Sequence, residues 1–137
     1  MQLDQILIEL GHGLGLAGLV LDEDRTCRLE LDRGHRLTLR HRPELNALDL
    51  VMPLELPERD EAGTARLCRR LLEIQLLGEA TRGAVIGLDE EEGTALVQRR
   101  LWLRDALETR EVAAAMAELN GVAHHLVAEL DLLPPED

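Results

Sequence analysis

The hydrophobic pattern of this chain predicts an α+β fold in the order α-β-β-β-α-β-β-α, three helices and an antiparallel twisted sheet. Two observations carry that prediction. Apolar residues recur with helical spacing near both ends and in the middle, and with period two in the stretches between. Those period-two stretches are joined by turns too short for crossovers, which makes sequential strands antiparallel neighbours. A third observation bounds the size. The 137 residues, 45% of them hydrophobic, suffice for a single domain, 1–137, whose core needs no disulfide or metal.

Leu3, Ile6, Leu7, Leu10 and Leu14 fall at i, i+3, i+4, i+7 and i+11, one face of a helix. Gly11, Gly13 and Gly15 weaken it, so it is expected to stop near Gly15. Over 26–32 the period becomes two, with Cys27, Leu29 and Leu31 against Arg28, Glu30 and Asp32. Arg33-Gly34 turns the chain into a second strand carrying Leu37 and Leu39, and Arg42-Pro43-Glu44 turns it into a third carrying Leu48, Leu50, Met52 and Leu54. Pro53 and Pro57 are expected to stop that third strand.

A charged connector, 58–63, precedes a helix expected over 65–77. This helix is apolar on two sides, with Leu67, Leu71 and Ile74 on one stripe and Cys68, Leu72 and Leu76 on another. One buried stripe is enough against a single sheet. The second therefore predicts a partner, most simply another copy, which makes Leu72, Leu76 and Cys68 the expected homodimer interface. A nearly continuous apolar run at 84–88 reads as a strand and the acidic 89–93 as its turn. Ala95, Val97, Leu101 and Leu103 alternate with Leu96, Gln98, Arg100 and Trp102 in the fifth strand, with Arg99 an exception on its apolar side. Thr109 is the expected N-cap of a last helix bearing Val112, Met116, Leu119, Ala123, Leu126 and Leu130, closed off by Pro134-Pro135.

The composition excludes several kinds of chemistry. A formal charge of −12 opposes binding to nucleic acid or anionic membrane, and with no Phe, no Tyr and only Trp102 there is no stacking platform for single strands. All basic residues are Arg, which removes lysine Schiff bases and phosphate-loop lysines, and the absence of Ser removes a serine nucleophile. Arg36, Arg40, Arg42, Arg66, Arg69 and Arg70 mark solvated faces with acidic neighbours. Cys27 and Cys68 form no CxxC pair and read as reduced thiols. His124 and His125 diverge by about 100° on a helix and cannot chelate one ion well. The acidic turns at 22–24 and 89–93 lack the ligand spacing of a calcium loop. The glycines at 11–15 follow a helix, where a phosphate loop would open one. No catalytic residues, cofactor or metal are expected, so the chain reads as no enzyme. The first residues show no secretory signal and no run approaches the roughly 20 apolar residues of a membrane span, which points to the cytoplasm.

Several strings, in order, resemble the class I chaperones of bacterial type III secretion, the small acidic dimeric effector chaperones, over nearly the whole chain. They are Leu10-Gly11-His12-Gly13-Leu14-Gly15-Leu16 after the first helix, Leu21-Asp22-Glu23-Asp24-Arg25-Thr26-Cys27-Arg28-Leu29 into the first strand, Leu71-Leu72-Glu73-Ile74-Gln75-Leu76-Leu77-Gly78 closing the second helix, and Ile86-Gly87-Leu88-Asp89. Gln75 departs from the Asn that many relatives carry. The resemblance implies a homodimer built on the second helix and the adjacent strand. It also implies an ATP-independent chaperone that holds the N-terminal segment of a secreted effector in extended, secretion-competent form until release at the export ATPase. Apolar residues outside the main stripes, Ile8, Val51 and Trp102, are the candidates for effector contact. Two alternatives stay open: a same-fold adaptor that sequesters a transcriptional regulator or anti-activator, and a small-molecule-binding domain or enzyme on the same scaffold.

Overall fold

A computed structural model describes residues 2–16, 19–104 and 107–130. Its elements are α1 (Gln2–Gly13), β1 (Thr26–Glu30), β2 (Arg36–Arg42), β3 (Ala47–Glu55), α2 (Glu61–Gln75), β4 (Val85–Asp89), β5 (Thr94–Trp102) and α3 (Thr109–Glu129). The strands form one antiparallel sheet in the order β1-β2-β3-β5-β4, so the meander and the hairpin predicted separately join through β3 and β5. The pleat places Leu37, Leu39, Leu48, Leu50, Met52 and Val97 on one face, all fully buried in a core shared with α1 and α3. Against them α3 packs Val112, Met116, Leu119, Ala123 and Leu126, and α1 packs Leu3, Ile6, Leu7 and Leu10.

Five expected boundaries shift, each for an identifiable physical reason. The first helix ends at Gly13, because Gly15 takes a left-handed conformation (φ +73°) and Leu16 N–H turns back to Gly11 C=O at 2.8 Å. Leu14 thereby leaves the buried stripe and is 45% exposed. A side chain at position 11 would also press on Leu19, 3.2 Å away, so the chain crosses itself closely there.

Pro53 does not stop β3, which runs on to Glu55. Leu103 N–H donates to Asn46 C=O and Leu56 N–H to Gly93 C=O, so even-numbered residues of β3 face β5 and Pro53 faces the other way. On that side the pairing with β2 has already ended at Val51, and a missing N–H breaks no ladder bond. The second helix starts at Glu61, ahead of the expected 65, because the Asp60 carboxylate caps it by accepting from Gly63 N–H at 2.7 Å. It also ends earlier, at Gln75, followed by a tight turn in which Leu77 (φ +64°) and Gly78 (φ +71°) are both left-handed. At the last helix the N-cap is Glu108, which exchanges bonds with Glu111 in a capping box. Thr109 is the first helical residue, and its hydroxyl donates to Glu9 of α1. The expected Pro134-Pro135 stop lies outside the described residues.

Candidate protein-binding surfaces

Helix α2 sits at the side of the sheet, touching β4. Its two stripes separate as their spacing demands. Leu67, Leu71 and Ile74 are buried, while Leu72 and Leu76 are each 70% exposed and Cys68 is half-buried. Beside Leu72 and Leu76 stand two residues that periodicity alone did not single out. Leu77 is 85% exposed, held outward by a left-handed backbone that costs a β-carbon-bearing residue about 1–2 kcal/mol. Val85, on the outer face of β4, is 56% exposed. The loop between them is closed by Gly83 N–H donating to Gly78 C=O at 3.0 Å. The sequence signal for Leu77 is the Leu-Leu-Gly string; Val85 has none, because the edge position of its strand follows from a sheet order that only the structure gives.

The other predicted contact residues do not converge. Val51 and Trp102 share the sheet face turned away from the core, with Val51 half-buried opposite Thr38 and Gln98 and Trp102 exposed opposite Ala47. Between them lies a polar block. Asp49 is buried and accepts from Arg100 Nε (2.6 Å) and Nη2 (3.0 Å), and Arg42 Nη1 stands 4.0 Å away. The Arg100 guanidinium in turn lies 5.7 Å from the Trp102 ring centre. Ile8 is exposed on α1, in the layer on the opposite side of the sheet.

A further apolar surface lies where α1 ends, beside β1 and α3. Leu10, Leu14, Leu16, Leu31 and Met116 line a groove of about 570 Å³, rimmed by Glu30, Asp32 and Asn120. It forms because the early end of α1 takes Leu14 off the core stripe and leaves it exposed near Leu16. Periodicity treated Leu14 as core and so missed it.

No reactive constellation accompanies these surfaces. Burial, together with the Asp22 carboxylate, pushes the Cys27 thiol up, which keeps it protonated and a poor nucleophile. His124 meets the buried His35 ring edge-on at 6.1 Å, whereas His125 faces a separate hollow with Glu79, Arg82 and Glu118. Among the described residues no three His, Cys, Asp or Glu side chains come together as a metal site, and no helix is long and apolar enough to cross a membrane.

The model of the Tir chaperone protein (CesT) family matches residues 5–126. The chain belongs to that family. Solved structures agree in fold. One chain in the structure of the HopA1-SchA chaperone-effector complex is 24% identical with a TM-score of 0.69, covering 88% of this chain and 89% of its own length. Another, in the ExsC-ExsE complex, is 22% identical with a TM-score of 0.75, covering 91% and 90%. A third, in the complex of the Yersinia pestis type III secretion chaperone SycH with a YscM2 fragment, is 18% identical with a TM-score of 0.67, covering 90% and 98%. No curated protein matches.

Proposed function

We propose that this CesT-family protein, read as one domain over 1–137, is an ATP-independent cytoplasmic chaperone. It binds the N-terminal segment of a type III secreted effector in extended form and keeps it competent for secretion. Family membership over 5–126 supports the reading, and one physical observation carries it. The core is complete, yet large aliphatic side chains remain outside it in two different settings.

The first setting suits a second copy of the chain. Leu72 and Leu76, with Cys68 below them and Leu77 and Val85 beside them, would cover one another across a two-fold axis to give a homodimer. The second suits a peptide. The groove of Leu10, Leu14, Leu16, Leu31 and Met116 opens next to the edge strand β1, and an extended segment that pairs with an edge can seat alternate side chains in such a hollow. Ile8, Val51 and Trp102 are further contact points for a segment that winds around the dimer. The client is handed over at the export ATPase. The binding event needs no bond chemistry, so no catalytic group, metal or cofactor has a part in it.

The test is capture of the client. Tagged protein is incubated in reducing buffer with lysate of cells expressing the secretion system, and bound proteins are identified by mass spectrometry. The expected result is one dominant secreted protein, retained through an N-terminal fragment that suffices alone. A bound transcription factor in its place replaces the chaperone reading with the adaptor, and a retained small molecule with no protein replaces both.

A further inference from the structure

The directions of the main-chain groups along β1 follow from its flanks. Arg25 C=O accepts from His41 N–H (2.9 Å) and Leu31 N–H donates to His35 C=O (2.7 Å), so odd-numbered residues of this strand face β2. Thr26, Arg28 and Glu30 therefore present N–H and C=O to the open side. Thr26 is already occupied. Asp22 N–H donates to Thr26 C=O (2.9 Å), Asp22 Oδ1 accepts from Thr26 N–H (3.0 Å), and Asp22 Oδ2 accepts from the Thr26 hydroxyl (2.8 Å) and from Arg28 Nη1 (3.2 Å). Asp22 thus stands where a residue of a neighbouring strand would stand. Arg28 and Glu30 have no such main-chain partner among the described residues, and directly beyond Glu30 lies the apolar groove.

We propose that Asp22 is a register stop, a positioning residue that confines an added client strand to the main chain of Arg28 and Glu30 and directs its next side chain into the groove. The inference rests on the chaperone reading and specifies its client. The occupant is a short extended peptide, about four residues long where it pairs, because two edge residues offer at most four main-chain bonds. Its inward side chains fall beside Leu29 and Leu31 and are aliphatic; the last of them enters the hollow of Leu10, Leu14, Leu16 and Met116. Its outward side chains lie against Arg28 and Glu30 and are polar. A longer pairing is blocked at Thr26 because the groups it needs are already bonded. The same arrangement shields one third of the open edge from unwanted strand pairing.

Amide hydrogen exchange read by NMR tests this on the full chain. The probe is the peptide Leu-Thr-Val-Thr-Leu, carrying a cysteine at one end or the other and tethered by a disulfide to Asp32→Cys in a Cys68→Ala background, so that its effective concentration is high. In the untethered protein the Thr26 amide exchanges at least tenfold more slowly than those of Arg28 and Glu30. Tethering slows Arg28 and Glu30 and leaves Thr26 as it was. Asp22→Ala makes Thr26 fast in the free protein and lets the peptide protect it, while Asp22→Asn, which keeps Oδ1, restores the original pattern. Asp22→Glu, whose extra methylene displaces the carboxylate, gives the alanine result in a chain of unchanged charge, and covers the case in which Asp22→Ala fails to fold. A fast Thr26 amide in the unsubstituted chain, an Asp22→Ala pattern identical to the parent, or protection by the peptide elsewhere than on β1 each overturns the proposal. Client capture is scored separately. A client captured alongside a fast Thr26 amide ends the register stop and leaves the chaperone, and the reverse pair of results does the opposite.

Discussion

Helices α3 and α2 are both amphipathic, and the difference lies in what each leaves outside. The free face of α3 carries Ala113, Ala117, Gly121, His124 and His125, side chains that lose little by meeting water. The free face of α2 carries Leu72 and Leu76, continued by Leu77, which lose a great deal. One helix keeps its large apolar side chains inside, and the other leaves two of them in solvent. A fold can be stable in one layer and still advertise an incomplete surface in another, and in this chain the advertisement is strongest where the backbone itself is forced left-handed at Leu77.

The contrast can be broken by substitution. The largest expected effect is in the finished layer: Leu119→Ala, at a fully packed site of α3, costs about 3 kcal/mol of folding stability in urea titration, whereas Leu72→Ala on α2 leaves the folding of the isolated subunit nearly unchanged. Equal losses at the two sites would erase the distinction. Next comes Leu72→Asp with Leu76→Asp, which desolvates two carboxylates in the proposed contact and weakens dimerisation by about 2 kcal/mol. Sedimentation at micromolar concentration should show a folded monomer for the double variant and a dimer for the parent; a dimer in both places the interface elsewhere.

Smaller effects sharpen the picture. Asp49→Ala leaves Arg100 and Arg42 facing each other across the outer sheet without their shared carboxylate, at a cost of about 1–2 kcal/mol, discounted for the exposure of the arginines. Glu108→Ala removes one half of the capping box of α3 and costs about 1 kcal/mol, a change of a few degrees in melting temperature. Thiol labelling touches stability least. With its ionisation pushed up by burial and by Asp22, Cys27 should resist alkylation at mildly alkaline pH until the chain unfolds, and rapid labelling of native Cys27 would show that β1 opens readily.

Most of the architecture was legible in the sequence because few signals compete in it. A core built from Leu, Val, Ile and Met with almost no aromatics gives clean periods, and all eight elements and both stripes of α2 follow from them. The boundaries were less legible, since caps are read from single polar residues: Asp60 and Glu108 do the capping, while the more conventional Thr109 is turned toward Glu9. Pro53 misled for a topological reason. Whether a proline is tolerated depends on which neighbour its N–H would have faced, and that is fixed by a register with β2 lying at a distance in sequence. The contact surfaces were legible in part. Leu72 and Leu76 stand out by spacing, but the groove at Leu14 and Leu16 depends on a helix ending two residues early, and the occupied edge at Thr26 on a side chain four residues away in a loop.

Trp102 also decides how this protein can be watched. It is the sole strong fluorophore, it lies half in solvent on the sheet face turned from the core, and the Arg100 cation rests near its ring. Its emission is thus a native surface probe. Unfolding exposes the half-buried indole fully and red-shifts its light, whereas a partner laid across that face excludes water from it and blue-shifts it, so in the unlabelled chain the direction of the shift separates occupancy from melting.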